Sequence, residues 1–101
     1  MSGLPSPAAI ALAVRLLEAE GFVVTARNER GDSVYLSPPR DTFALRVSNH
    51  ARTPKQRAKH PEVLTSLVLH GSTTPAQIEA MVTRSLRVFR IERERRANAS
   101  A

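Results

Sequence analysis

The sequence predicts one α+β domain, in which a small antiparallel sheet of three to four strands carries an N-terminal and a C-terminal helix on one face, in the order α-β-β-β-β-α. The chain of 101 residues has room for one core and no second domain. Helix start and stop signals enclose residues 6–20, and a second helix start follows at residue 74. Short strand-like segments separated by turn residues lie between them.

The first helix is predicted to begin at Ser6, a capping residue followed by proline, and to end at Gly21, which adopts the left-handed conformation easily. Residues 1–5 precede it as a flexible tail. Two of its leucines, Leu12 and Leu16, point away from the main apolar face. Either the helix is wedged between the sheet and the second helix, or Leu12 and Leu16 form a surface for a partner or a homodimer.

Three segments with strand character follow at residues 22–27, 33–37 and 43–48. In the third segment, apolar and other residues alternate, so one face should pack inward and Arg46 should face outward. Residues 65–70 fit a helical turn and a buried strand equally well, and we interpret them as a fourth strand.

The second helix is predicted to begin with a capping box, in which Thr74 and Gln77 enclose Pro75 at the first helical position. Its apolar periodicity ends near Ile91, where Arg93 occupies the next apolar position. The domain should therefore cover residues 6–92, and residues 93–101 should form a basic tail that frays.

The net charge of +6 is distributed unevenly along the chain. Residues 1–41 hold four arginines and five acids, whereas residues 42–101 hold eleven Lys or Arg and four acids, a net charge of +7. No acid occurs from Thr42 to Pro61, and we interpret residues 49–60 as an exposed basic loop. Such loops neutralise phosphates. The residues of this stretch that we expect to contact nucleic acid are Arg46, His50, Arg52, Lys55, Arg57 and Lys59.

A second basic strip is predicted on the long helix, where Arg84, Arg87 and Arg90 lie within about a third of its circumference. Two interpretations of this strip stay open. It is either a further contact for nucleic acid or an ordinary solvated helix face whose charge is partly balanced by nearby acids.

Composition and motifs restrict the chemistry of the chain. It contains no cysteine, which excludes disulfides and favours a cytoplasmic location, and its longest apolar run is too short to span a bilayer. Because His50, His60 and His70 lie in separate segments, we expect neither a metal nor a cofactor. No Gly-rich phosphate loop or metal-binding helix motif is present, which favours a binding protein over an enzyme.

Three segments occur in an order typical of one protein family: residues 16–22 (LLEAEGF), 31–36 (GDSVYL) and 47–50 (VSNH). Over about residues 12–50 the chain resembles HicA-type mRNA interferase toxins, which implies a fold like that of double-stranded-RNA-binding domains and implies RNA binding. The matching place for the toxins' catalytic histidine holds Val34 here. Residues 45–50 (LRVSNH) also resemble a pattern in small uncharacterised bacteriophage and plasmid proteins, which implies a mobile-element origin.

The charge pattern and element order together predict a non-catalytic nucleic-acid-binding module that contacts mainly backbone phosphates. Two alternatives stay open. The protein is an inhibitor or accessory factor, such as a phage anti-defence protein, whose basic surface meets an acidic host-protein surface. Or it is a ribonuclease toxin in which His50 acts as a general acid or base beside a bound phosphate.

Overall fold

The fold is a four-stranded sheet with two long helices, seen in a computed structural model that describes residues 3–100. The α+β class and the helix near each end are confirmed, as is the choice of a strand within residues 61–70. The elements are α1 (Ser6–Ala19), β1 (Val23–Arg27), β2 (Ser33–Ser37), β3 (Ala44–Ser48), α2 (Pro54–Lys59), β4 (Val63–Val68) and α3 (Pro75–Ser100).

The sheet is mixed, in the spatial order β1-β2-β3-β4. The predicted antiparallel meander is correct for β1, β2 and β3, but β4 pairs parallel with β3. Parallel neighbours require the chain to return to the starting end of the first strand, which a tight turn does not allow. Residues 49–62 make this return, and they contain α2, so the predicted loop at residues 49–60 is partly helical.

The core lies between one face of the sheet and the helices α1 and α3, as predicted. Alternation along the strands sends one set of apolar side chains toward the helices. On the other face, the register places Tyr35 opposite Arg46 and Arg46 opposite Ser66. We call this second face the open face. The strand side chains that meet the helices in the core are Val34, Leu36, Leu45, Val47 and Leu67.

The end of α1 follows its sequence signal closely. Gly21 has φ of 96°, and the backbone N–H groups of Gly21 and Phe22 donate to the carbonyls of Glu18 and Leu17. These two bonds define a Schellman motif, and Phe22 is buried behind it as expected. The start differs from the prediction, because Pro5 occupies the N-cap position and Ser6 is already helical without capping through its side chain.

The two leucines of α1 that point away from its main apolar face contact other residues of the same chain. Leu12 and Leu16 are half-buried and pack against the core cluster, which supports the wedged-helix interpretation over a partner surface. The segment before α1 is also attached, since Leu4 forms an isolated antiparallel bridge with Thr73. Residues 1 and 2 of the predicted tail lie outside the described residues.

The long helix α3 does not stop packing near Ile91, and it continues to Ser100. The guanidinium groups of Arg93 and Arg96 lie 4.8 and 5.8 Å from the ring centroid of Phe43. Arg93 Nε also donates to Asp41 Oδ2 at 2.9 Å. Arginine therefore replaces an apolar residue in this last contact, because its stem and planar head cover an aromatic ring while staying hydrated. Despite its length, α3 is too polar to cross a membrane, and no other helix within residues 3–100 meets the requirement.

We expect Arg93→Ala to lower the free energy of unfolding by about 1 kcal/mol, because it removes both the ion pair with Asp41 and the contact with Phe43. Arg95→Ala on the same helix removes only an ion pair with Glu92 one turn away, and should cost less than about 0.5 kcal/mol. Urea denaturation followed by circular dichroism measures both variants. An equal loss in the two would contradict this docking of α3.

The Asp41 carboxylate should make stability depend on pH. Burial alone would raise its pKa, but the Phe43 backbone N–H and the Arg93 guanidinium lower it, and the net pKa lies below the ordinary value. Its stabilising contribution is therefore present above the unfolded-state pKa and is lost as pH falls through the lower folded-state pKa. Between about pH 6 and about pH 3, the free energy of unfolding should fall less for Asp41→Asn than for the parent. Parallel pH curves would contradict this.

Candidate anion-binding site

Arg46 occupies the middle of β3, and its side chain lies on the open face of the sheet. The Arg46 side chain points away from the helices, as the alternation along β3 predicted. The prediction that it is exposed is wrong, because Arg46 is only 2% exposed. The chain that leaves β3 covers it: the carbonyl of His50 accepts a hydrogen bond of 2.9 Å from Arg46 Nη1. Burial of a guanidinium is unfavourable unless its N–H groups are bonded, so its partners decide what this position can do.

The guanidinium of Arg46 is held by three segments of the chain. Nη1 donates to Ser66 Oγ on β4 at 2.9 Å as well as to the carbonyl of His50, and Nη2 donates to Ser48 Oγ on β3 at 3.1 Å. Ser48 Oγ is itself 2.7 Å from Ser33 Oγ on β2. Arg46 Nε is enclosed and makes no hydrogen bond. The group is therefore held by three of its five N–H donors, and none of its partners carries a negative charge.

The positive charge of Arg46 acts on a second arginine, Arg52, in the connection. Burial is the main cause that lowers the pKa of Arg52, and the positive charges of Arg46 and Arg57 lower it further, while Tyr35 and Glu62 act in the opposite direction. Its Nε and Nη1 are enclosed and make no hydrogen bond. Two like charges thus share the open face, and we call Arg46 and Arg52 the arginine pair.

No carboxylate balances the arginine pair within residues 3–100. The negative charge of Glu62 raises the pKa of Arg52, but the Glu62 carboxylate does not form an ion pair with Arg52. It lies 3.2 Å from His60 Nδ1. Like charges in a partly dehydrated site repel each other more strongly than in water. The arrangement is therefore electrostatically complementary to an anion.

The imidazole of His50 lies at the edge of this site. Its Nδ1 is 2.8 Å from Asn49 Oδ1 and 3.2 Å from Ser48 Oγ, while the residue as a whole is exposed. The prediction that His50 lies beside the basic residues is thus in agreement with the geometry. The place of the toxins' catalytic histidine is different, because Val34 is fully buried in the core on the helix side of the sheet.

The short helix α2 displays the remaining cations of the connection. Its first turn has a full capping box, with Gln56 N donating to Thr53 Oγ1 and Thr53 N donating to Gln56 Oε1. It has no buried residue, which explains why no apolar periodicity indicated it. The cations that it exposes are Lys55, Arg57 and Lys59.

The predicted second strip stays separate from the arginine pair. Arg84, Arg87 and Arg90 are exposed on α3, which packs on the helix side of the sheet, whereas the arginine pair lies on the open face. Arg90 Nη2 is 3.4 Å from Glu20 Oε1. The nine residues predicted to contact nucleic acid therefore fall into two groups.

Ion pairing distinguishes these two regions of positive charge. On α3, Arg90, Arg93 and Arg95 each have a carboxylate partner. The five Lys and Arg residues of the acid-free stretch, residues 42–61, have no carboxylate partner within the described chain. The positive charge of α3 is thus partly neutralised, and that of the β3–β4 connection is not.

Sequence reasoning missed Ser33 and Ser66, the two serines of the open face that come from other strands. A signal for part of the site is present, because Arg46, Ser48, His50 and Arg52 recur at every second position, as side chains on one face of an extended chain do. Ser33, Tyr35 and Ser66 come from other strands and become neighbours through the register alone. No group of three or more His, Asp or Glu suited to a metal occurs within residues 3–100.

The chain was compared with protein-family models, curated proteins and solved structures. It matches none of them.

The two arginines of the pair should have opposite effects on stability. Arg46→Met leaves Ser66 Oγ and the His50 carbonyl without their donor and should lower the free energy of unfolding by about 2–4 kcal/mol. Arg52→Met removes a dehydrated charge that has no partner and should raise it by up to about 1 kcal/mol. Urea denaturation at neutral pH measures both changes. Destabilisation by Arg52→Met comparable to that by Arg46→Met would contradict the absence of a partner for Arg52.

Proposed function

We propose that this protein binds nucleic acid through the phosphate backbone, using the basic surface of the β3–β4 connection. The observation that supports this function best is the absence of any ion pair along that surface within the described chain. We call it the crossover surface, and its cations are Arg52, Lys55, Arg57 and Lys59. The fifth cation of the acid-free stretch, Arg46, is buried in β3 and does not belong to this surface.

Unpaired cations are the form in which positive charge is most useful for binding nucleic acid. A cation that is already paired must break its ion pair before it contacts a phosphate, whereas an unpaired cation exchanges only water and counterions. Lys55, Arg57 and Lys59 are exposed on a single helix of six residues, so their charges act on the same region. The connection therefore offers a compact positive surface to a charged backbone.

The aromatic residues favour contacts to phosphates over contacts to bases. Phe22 and Phe89 pack edge to face in the core, with ring centroids 5.2 Å apart, and Phe43 lies under the arginines of α3. Tyr35 is half-buried and lines a groove on the open face together with Ala26 and the chain before β4. With at most one ring available for stacking, the expected mode is backbone binding with weak sequence preference.

A triple substitution on α2, Lys55→Gln with Arg57→Gln and Lys59→Gln, should weaken binding of duplex nucleic acid. It removes three charges and lowers the net charge from +6 to +3. The slope of log K against log salt concentration should fall by about 0.9 for each lost phosphate contact. Fluorescence anisotropy with duplex DNA, duplex RNA and single strands over a salt series measures affinity and slope.

The matched control removes the same charge elsewhere, at the exposed residues Arg15, Arg30 and Arg95. We expect its salt slope to stay within about one contact of the parent value. A third variant with Gln at Arg84, Arg87 and Arg90 tests the second strip, and a loss smaller than that of the α2 variant is expected because Arg90 is already paired.

Equal losses in the α2 and control variants would show that only net charge matters and would refute the crossover surface. If the parent protein binds no nucleic acid at low salt, the proposal fails. Recovery of one acidic host protein in stoichiometric amount would then identify the crossover surface as a protein interface, and that interface should be salt-sensitive.

A further inference from the structure

We infer that the groove between the edge strand β4 and the helix α3 binds an extended acidic segment of a partner protein, which adds to the sheet as a fifth strand. We call this groove the edge groove. It is separate from the crossover surface, and the inference does not depend on nucleic-acid binding. Residues 65–68 of β4 form one wall of the groove, and Met81, Arg84, Ser85 and Val88 of α3 form the other.

The strand β4 has one side that no strand occupies. Among the strands within residues 3–100, its neighbour is β3 alone. The Leu69 N–H donates to the Ser48 carbonyl of β3 at 2.7 Å, and successive residues direct their backbone groups to opposite sides of a strand. The N–H and C=O groups of Leu67 therefore face β3 as well, whereas those of Ser66 and Val68 face the unoccupied side. These are the groups with which an added strand pairs.

The two edges of the sheet differ in how they are protected against such pairing. The edge strand β1 has an irregular register at Thr25 and ends in the charged residue Arg27. Bulges and charges of this kind prevent another strand from pairing with an edge. The register of β4 is regular from Thr65 to Val68, and the sequence from residue 63 to residue 69 contains no charged residue, proline or glycine. The edge at β4 is therefore open to an added strand.

The space beside β4 can receive the side chains of an added strand. A cavity of about 180 Å³ lies between β4 and α3, and a second cavity of about 350 Å³ continues it toward the start of α3. Met81 and Arg84 line both cavities, so the two form one continuous groove. Val88 is 39% exposed at the other end and supplies apolar surface. A chain that pairs with β4 directs every second side chain toward this surface.

Charge decides which occupant fits the edge groove. Arg84 is exposed and forms no ion pair within the described chain, and neither cavity is lined by an acid from residues 3–100. A second copy of this chain would bring its own Arg84 to the same interface, because a two-fold interface joins identical surfaces. Like charges across an interface are unfavourable, whereas a carboxylate opposite Arg84 is complementary. An acidic segment is therefore the occupant that the groove favours.

The experiment uses the full chain and a phage-displayed library of random peptides of about ten residues, the upper length of an ordinary strand. Selection on the parent protein should enrich peptides that alternate apolar and polar residues and carry Asp or Glu. Selection on Arg84→Glu should enrich Lys or Arg at the position of that acid, because the charge requirement is reversed. Enrichment of no peptide by the parent, or of the same peptides by both proteins, overturns the inference.

The most enriched peptide is then synthesised, and fluorescence anisotropy gives its dissociation constant. We expect Arg84→Glu to raise this constant at least about tenfold. The matched control, Arg87→Glu, makes the same change of charge at an exposed residue that lines neither cavity, and should change the constant less than about twofold.

The α2 triple variant separates this inference from the proposed function, because it should lose affinity for nucleic acid and still bind the peptide like the parent. Loss of peptide binding in the α2 variant would place the peptide on the crossover surface and would overturn the inference. A parent protein that binds the peptide and no nucleic acid would refute the proposed function and leave the edge groove supported.

Strand addition has its own measurement, amide hydrogen exchange followed by NMR. The N–H groups of Ser66 and Val68 should exchange more slowly when the peptide is bound. Val68→Pro removes one of these donors without removing a bond to β3, and should weaken binding about fivefold or more.

If circular dichroism shows that Val68→Pro is unfolded, N-methylation of alternate peptide residues tests the same bonds. One of the two alternating patterns should abolish binding, and the other should retain it. Equal effects of the two patterns, unchanged exchange at Ser66 and Val68, or a dimer of the parent protein that Val68→Pro dissociates in analytical ultracentrifugation would each overturn the inference.

Discussion

Burial of the Arg46 guanidinium on the open face is the interaction on which the arrangement of this domain depends. The group hydrogen-bonds to Ser48 on β3, to Ser66 on β4 and to the carbonyl of His50 in the connection between them. It therefore joins the two parallel strands to the segment that makes their parallel pairing possible. A buried cation with neutral partners requires good geometry at every bond, because each unpaired donor remains dehydrated. The same residue thus links the two parallel strands to the segment that connects them.

The ion pairs are distributed unevenly over the positive charges of the chain. At the end of α3, Arg93 packs on Phe43 and pairs with Asp41, and in this way extends the packing of a helix that has no apolar face left. Within the described residues, Arg52 neither stacks on an aromatic ring nor forms an ion pair with a carboxylate. Three of the six arginines of α3 have a carboxylate partner, whereas none of the five Lys and Arg residues of the acid-free stretch has one within the described chain.

A capping box starts both α2 and α3, but the sequence analysis predicted only the one that starts α3. Thr74, Pro75 and Gln77 predicted the start of α3, and Thr53, Pro54 and Gln56 have the same spacing at the start of α2. Both capping boxes form in the structure. The second was overlooked because α2 has no buried face, and hydrophobic periodicity is the main evidence for a helix in sequence. Capping chemistry is local and can therefore be recognised in the sequence even for a helix that has no buried residue.

Local and short-range features were determined by the sequence itself. These are the α+β class, the Schellman ending of α1 at Gly21, the alternation that turns Arg46 away from the helices, and the concentration of positive charge without acids in residues 42–61. Tertiary structure alone decided the parallel pairing of β4, the burial of Arg46 and the docking of Arg93 on Phe43. Each of these joins segments distant in the chain. Alternation states which face a side chain is on, but whether that face meets water depends on where the rest of the chain passes.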